Sequence, residues 1–427
     1  MENEVYMYFQ NEKYYLYGAG INAFGVVKYL GKDNIVAVID TNEQKHGMDI
    51  DGIPIVGIDY YVEKNLGEKI VISTFQRSEE VEEYLDERKI ENHLTAPYIQ
   101  AGFPSIMEII KYLIDNSIEE IIIADDNIIS YLIAKYILSE KIPIKIDGVC
   151  SCNIIWNRIG LNKIDLNNIS SNAYVFGIEE LDIPRTDNRI CVTQNLREKF
   201  WSTNYELLKF KDKYNGRRCF IIGNGPSLKM EDLDTLQKHN EICFASNKIY
   251  LAFEKTRWRP NYYMVCDFNV YRSCYDTITT MKDCTIFIEN FYNQLEMKEL
   301  NNAYKVNSIH QKTHFKFSEK IEKYVYSGLT VTYNLLQLAV YMGFKEIYLL
   351  GIDFSFSGMS EDKGNHFCEE YSKDTKMKGS FYRDESLSAY RAAEEMSYKR
   401  GIRIYNATRG GKLETFERVD FDEIFEK

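Results

Sequence analysis

Residues 217–229 read RRCFIIGNGPSLK. Cys219 to Ile222 is an apolar run of strand length, and Gly223-Asn224-Gly225-Pro226-Ser227 follows without a break. Glycines directly after a strand let the main chain come close to a ligand, because no Cβ intervenes. Ser227 is placed to N-cap a helix whose first apolar face is Met230, Leu233 and Leu236. A strand, a glycine turn and a helix start is where nucleotide phosphates or sugars sit in parallel α/β sheets. The same pattern also describes a tight β–α connection that holds nothing, so its neighbours decide the reading.

Toward the C-terminus, Glu241 to Ala245 reads as a second strand that runs into Ser246-Asn247-Lys248. Asn261 to Cys266 reads as a third, followed by Asp267-Phe268-Asn269. Three successive strands therefore end on Asn224, Asn247 and Asp267. In an open parallel sheet such ends line the ligand crevice, where amides and carboxylates hydrogen-bond ribose, base and sugar hydroxyls. Further on, Ser327-Gly328 precedes a helix with Leu335, Leu338, Ala339 and Met342 on one face and Gly343 as its C-cap. A Ser-Gly at a helix start offers free N–H groups to a phosphate, or is an ordinary N-cap. Ile347 to Leu350 is the next strand, ending in Gly351-Ile352-Asp353-Phe354.

Toward the N-terminus, the strand Tyr14 to Tyr17 leads into Gly18-Ala19-Gly20, with Ala23 as the third small residue. A helix with Val26, Val27 and Leu30 and the strand Ile35 to Ile39 follow, ending at Asp40. Asp40 stands about 20 residues past the loop, where a ribose-binding carboxylate belongs in a dinucleotide fold. Gly18, Gly20 and Asp40 are thus candidate cofactor contacts. The segment resembles the small nucleotide-sugar-type Rossmann modules at the N-termini of bacterial carbohydrate enzymes, where a GIPIV phrase, here Gly52 to Val56, follows the second strand. Such modules often keep the fold without a cofactor. Ile70 to Ser73 is another strand. From Ile121 the rhythm repeats without glycines: Asp125-Asp126-Asn127, a helix with Ile129, Leu132, Ile133 and Tyr136, and the strand Ile142 to Val149. Ala173 to Phe176 and Arg189 to Val192 are further strands, and residues 195–216 read as helical. The expectation is a Rossmann-like accessory domain over 1–210, with subdomains 1–105 and 106–210, and a catalytic α/β domain over 211–427.

A chain of 427 residues, 45% hydrophobic and 27% charged, is a globular protein of two or three domains. Its net charge of −12 argues against nucleic acid as a partner. Nine cysteines without a CxxC pair signal neither zinc nor a disulfide framework. His310 and His314 have the i,i+4 spacing of a helical metal pair, without an evident third ligand. No metal site is assigned. Neither a signal peptide nor an apolar run long enough to span a bilayer stands out. The expected location is cytoplasmic, with a peripheral position at the inner membrane face as a variant. A homo-oligomer is allowed.

GNGPSLK at 223–229, SNK at 246–248, SG at 327–328 and GFKEIYLLGIDF at 343–354 occur in one order. That order resembles the bacterial lipooligosaccharide sialyltransferases. The ending IYNATRGGKLETFERV, 404–419, looks more like the related group of motility-associated-factor glycosyltransferases and 6-hydroxymethylpterin diphosphokinase-like proteins. The resemblance covers roughly residues 215–420 and implies a Rossmann-like domain around a CMP-linked nonulosonic sugar. Donor-binding roles then fall on Gly223, Asn224, Gly225, Ser227, Ser246, Asn247, Ser327 and Gly328. Asp267 departs from the family's asparagine, and Asp353 is implied to orient the site.

Such a transfer must stabilise a leaving phosphate and deprotonate an acceptor hydroxyl, and it needs no cofactor or metal. The resemblance implies two tyrosines after the GIDF strand, and this chain has Ser355 in place of the first; Tyr371, Tyr382 and Arg383 are the candidate replacements. For the general base the choices are Asp384, by position, and His366, by chemistry. Arg409, in the Gly-rich turn, could pair with an anionic sugar or phosphate. The implied partners are the nucleotide-sugar donor and a glycan or glycoprotein acceptor. Two alternatives stay open. One is ATP-dependent pyrophosphoryl transfer with magnesium held by carboxylates such as Asp267 and Asp353. The other is a nucleotide-sensing module without turnover.

Overall fold

The computed structural model describes residues 12–64, 67–74, 77–99, 103–165, 174–178, 189–191, 203–291, 298, 300–311, 315–355, 365–372 and 382–426. They fall into two compact units, the first drawn from Met1–Trp201 and the second from Ser202–Asn290 and Met297–Lys427. Both are α/β and Rossmann-like, as the alternation of short apolar runs with helical segments requires.

In the first unit, β1 (Tyr14–Tyr17), β2 (Ile35–Ile39), β3 (Asp49–Ile50), β4 (Ile53–Val56), β5 (Lys69–Ile72) and β6 (His93–Thr95) form a sheet in the order β3-β4-β2-β1-β5-β6. All pairs are parallel except β3 with β4. Helix α1 (Ile21–Leu30) crosses from β1 to β2. A second, all-parallel sheet runs β10-β9-β7-β8, from β7 (Glu120–Ile123), β8 (Lys145–Val149), β9 (Tyr174–Gly177) and β10 (Arg189–Cys191). Helix α2 (Ile128–Ser139) joins β7 to β8 and is capped by the Asn127 Oδ1, which accepts from the N–H groups of Ile129 and Ser130. That amide does the work of the missing glycine loop. One apolar core is shared by the two sheets.

The second unit holds an eight-stranded sheet, parallel throughout, in the order β15-β14-β13-β12-β11-β18-β19-β20. Its strands are β11 (Arg218–Ile222), β12 (Cys243–Ser246), β13 (Tyr262–Val265), β14 (Thr285–Glu289), β15 (Ala303–Val306), β18 (Glu346–Leu350), β19 (Arg403–Asn406) and β20 (Glu417–Arg418). Between them, β16 (Ser308–His310) and β17 (Val325–Ser327) pair as a separate parallel ribbon. The main helices are α3 (Met230–Lys238), α4 (Phe268–Thr280), α5 (Val331–Tyr341) and α6 (Arg383–Arg400). A parallel sheet is covered on both faces, so its strands must be apolar on both. Cys219, Phe220, Ile221 and Ile222 are all 0% exposed. Phe220 lies opposite Tyr348 in the β11–β18 register, and their rings stack at 5.0 Å, a contact worth about 1 kcal/mol beyond its area.

The chain builds outward from β11 to β15, then returns through α5 to lay β18, β19 and β20 on the other side of β11. The switch point, where ligands bind in open α/β sheets, is therefore the pair of strand ends after β11 and β18. Three differences from expectation concern local elements. Residues 195–216 do not form a long helix: the described part holds a 3₁₀ turn over Tyr205–Phe210, and 192–202 lie outside the described residues. The strand expected over 142–149 is shorter, Lys145–Val149. Strands β14 to β17 were not anticipated. Among the described residues no helix is long and apolar enough to cross a membrane.

Candidate functional site

At the switch point the two strand ends touch. A Cβ on Gly223 would run into the Gly351 carbonyl and the Ile352 side chain, and one on Gly225 into the Asp353 carboxylate. Close contact between neighbouring strand ends, rather than approach to a ligand, explains both glycines. The Gly225 N–H donates to the Gly351 carbonyl at 2.9 Å. Ser227 does not cap the helix: α3 begins after Lys229 with no side-chain cap, because the Ser227 hydroxyl donates to the Asp353 Oδ2 at 2.7 Å, and its N–H adds a second bond at 3.3 Å. Asp353 is 8% exposed. Burial raises its carboxyl above the ordinary range, against the pull of the two Ser227 donors. The 408–412 turn braces the same strand end, with the Lys412 N–H donating to the Asp353 carbonyl and the Ile352 N–H to the Thr408 Oγ1.

Arg409 is not available to an anionic ligand. Its guanidinium is bonded to Asp232 at 2.9 Å and to Asp422 at 2.6 Å, and Asp232 is 3% exposed. These bonds hold its pKa above the ordinary guanidinium range. The acidic start of α3 had already claimed the cation that the sequence offered to a phosphate.

Asn224 and Asn247 follow adjacent strands. The Asn224 Nδ2 donates to the Ser246 carbonyl at 3.1 Å, which ties the end of β11 to that of β12. The Asn247 carbonyl accepts from the Tyr263 hydroxyl, and its backbone is left-handed, with φ 53°. The side-chain oxygens of both asparagines are buried, and among the described residues neither has a hydrogen-bond partner. Lys248 comes next and is 3% exposed. Its Nζ donates to the Tyr371 carbonyl at 2.8 Å. The Phe367 N–H donates to the Asn224 carbonyl at 3.1 Å, so the 365–372 segment is fastened to both strand ends. Within it the His366 ring stacks on Tyr371, with centroids 3.7 Å apart. The segment that carries His366 and Tyr371 is thus tied to the main chain of Asn224 and to Lys248.

The remaining candidates are placed differently. Asp267 is exposed and caps α4, its Oδ1 accepting from the N–H groups of Asn269 and Val270. Ser327 ends β17, and α5 starts only at Val331 behind Thr330, so Ser327-Gly328 is not the helix start that was expected. Gly328 is required by packing: a Cβ would meet the Tyr333 ring and the Ala389 methyl of α6. Leu329 after it has φ 58°, and Phe354, past β18, φ 52°. Such conformations cost non-glycine residues about 1–3 kcal/mol and gather at functional loops. Tyr382 is half-buried and precedes α6, while Asp384 is exposed in its first turn. Among the described residues neither is hydrogen-bonded to Asn224 or Asn247.

Sequence reasoning missed two pairs. Glu289, 7% exposed at the end of β14, meets the His310 Nε2 at 3.1 Å. Asn334 of α5 donates to the Cys266 Sγ at 3.2 Å. The first went unseen because β14 and β16 were not recognised as strands. His310 sits in β16, so a helical i,i+4 pairing does not arise, and His314 lies outside the described residues. Among the described residues no three His, Cys, Asp or Glu side chains converge as metal ligands. Asp267 caps α4 through one carboxylate oxygen, and Asp353 holds Ser227 through one of its own. An open depression of about 640 Å³ beside Lys238, Lys255 and Arg257 contains none of the buried unpartnered atoms that mark the strand ends.

In the first unit the glycine loop is closed on itself. The Asp40 carboxylate accepts from the Ala19 N–H at 2.8 Å and from the Asn42 N–H at 2.9 Å, and pairs with Lys45 at 2.8 Å. Burial alone would raise its carboxyl, but Lys45 and the two N–H groups outweigh it and the net shift is downward. Asp40 is filled by its own chain rather than left open for a ribose. Gly18 has φ 102° with Thr74 against the position of a Cβ, whereas nothing lies near Gly20.

Residues 191–359 match the family described as 6-hydroxymethylpterin diphosphokinase MptE-like. No curated protein matches the chain. Among solved structures, a MAf glycosyltransferase from Magnetospirillum magneticum AMB-1 aligns with 98% of this chain and 62% of its own, at 11% identity and a TM-score of 0.33. The chain thus spans less than two thirds of that protein's length. The stretch of this chain that is similar to the MptE-like family therefore runs from β10 to just past β18 and contains Asn224, Asn247 and Asp353.

Proposed function

We propose that the second unit is a glycosyltransferase that binds a CMP-activated nonulosonic sugar at the ends of β11 and β12 and passes the sugar to a glycan or protein hydroxyl. One observation carries this reading: the buried Oδ1 atoms of Asn224 and Asn247, at the ends of the neighbouring strands β11 and β12, lack donors among the described residues. A buried acceptor left unmade costs about 1–3 kcal/mol, so such atoms are kept where a ligand completes them. Ribose hydroxyls and the exocyclic amine of a base are the matching donors. The choice of cytidylate follows from the order of the GNGPSLK, SNK and SG phrases.

In the transfer the bond from the anomeric carbon to the phosphate oxygen breaks and its electron pair leaves with CMP. The acceptor oxygen forms the new bond and its proton passes to a base. His366 serves as that base, in the segment fastened over both asparagines, and Tyr371 supports its ring. Asp353 orients the loop through Ser227 rather than touching substrate.

Thermal denaturation with CMP, CDP, UDP, NAD and ATP–magnesium tests the proposal. CMP without metal should raise the melting temperature, by the equivalent of about 2.7 kcal/mol at a hundred times its Kd. A second reading, ATP-dependent pyrophosphoryl transfer, takes its reaction from the name of the family that residues 191–359 match. Stabilisation by ATP only with magnesium, and none by CMP, would select it.

A further inference from the structure

Lys248 is a buried cation without a counter-ion. It is 3% exposed, and among the described residues no carboxylate lies within ion-pairing distance of it. Its ammonium has three donors, and the structure supplies the Tyr371 carbonyl at 2.8 Å and the Tyr371 ring, whose centroid is 5.5 Å away. A carbonyl and a ring face offset only part of the cost of removing an ammonium from water. Asn247, next to it in sequence, and Asn224, whose amide donates to the Ser246 carbonyl, show the opposite deficit, since among the described residues their buried Oδ1 atoms lack donors. Acceptors wanting donors and a cation wanting an anion at the same strand ends are the complement of a phosphorylated sugar or nucleoside. The chain as a whole carries a net charge of −12, so diffuse attraction does not account for an anion there; a buried, directed cation does.

We infer that Lys248 receives the phosphate of the bound nucleotide, the Tyr371 carbonyl holding the ammonium until that phosphate arrives. The assignment rests on the nucleotide reading of the strand ends. It supplies the phosphate contact that the resemblance assigns to tyrosines after β18, where Ser355 stands in place of the first. During transfer the same ammonium faces the charge left on the phosphate oxygen.

Calorimetric titration of the full chain with CMP and with cytidine separates the possibilities. The wild type should bind CMP at least tenfold more tightly than cytidine. Lys248→Met should bring that ratio near unity while cytidine affinity changes less than threefold. Lys248→Gln keeps a donor for the Tyr371 carbonyl but drops the charge, and guards against a misfolded Met variant; it should lose the ratio too. A ratio retained in either folded variant overturns the inference and leaves the cytidylate reading intact. AMP with adenosine and UMP with uridine form the other arm. A Lys248-dependent preference for a phosphate on those nucleosides alone sustains the inference and defeats the cytidylate reading. No heat with any of them defeats both.

Discussion

Asp40 and Asp353 each stand just past a parallel strand that neighbours a glycine loop, and each is 8% exposed; Asp40 follows the next strand in the chain after its loop, Asp353 the strand on the other side. The Asp40 carboxylate is filled from within the chain by Ala19, Asn42 and Lys45, although the Thr74 hydroxyl against Gly18 is buried without a partner among the described residues. Around Asp353 the loop is organised through Ser227, but Asn224, Asn247 and Lys248 beside it keep unmet bonds. The same strand–glycine–helix wording thus yields a closed connection in one unit and an open one in the other. Glycine content does not separate them. What separates them is the strand-end side chains: Asp40 is filled by its own chain, whereas the Asn224 and Asn247 side-chain oxygens are not.

The contrast is broken most severely by crowding the second loop. Gly225→Ala places a methyl on the Asp353 carboxylate and should cost about 3 kcal/mol in urea denaturation; an unchanged midpoint would show that the strand ends are not in contact. Arg409→Ala leaves the buried Asp232 without its partner and should cost about 2 kcal/mol, with CMP affinity unaltered. A fall in affinity with stability intact would return Arg409 to the ligand.

Asp40→Asn sharpens the comparison at about 1–2 kcal/mol, read from amide exchange of β2, without change in nucleotide binding. The two carboxylates should also respond to pH in opposite senses. The pKa of Asp40 is lowered on folding, so its contribution is present above about pH 4 and lost as pH falls through the depressed value. That of Asp353 is raised, so its contribution is present below about pH 4 and lost as pH rises through the elevated value. Amide exchange of β2 and of β18 at acid and neutral pH would reveal the two trends, and trends of one sign would dissolve the contrast. The smallest effect belongs to Gly20→Ala, which meets open space and should stay within about 0.5 kcal/mol. If that methyl abolished binding of NAD, the first loop would hold a cofactor after all.

Strands β1, β2, β5, β7 and β11 to β13, and the order of motifs along the second unit, were legible from the sequence because a buried parallel strand must be apolar along its whole length. That constraint acts between residues a few positions apart. The helix expected over 195–216 failed on the described part, and β14 to β17 were not read as strands: β15 to β17 are short and mixed with polar residues, whereas β14 holds an unbroken Ile286-Phe287-Ile288 as long as the apolar run of β7. The roles of Ser227, Arg409 and Lys248 lay beyond any local pattern. Ser227 was claimed by a carboxylate at position 353, Arg409 by one at 232, and Lys248 by a carbonyl at 371. Sequence alone therefore determined that this chain contains parallel α/β sheets with polar strand ends. Only the tertiary structure decided which of those ends are complete, since a buried atom's hydrogen-bond partner comes from wherever the fold brings a complementary group within about 3 Å.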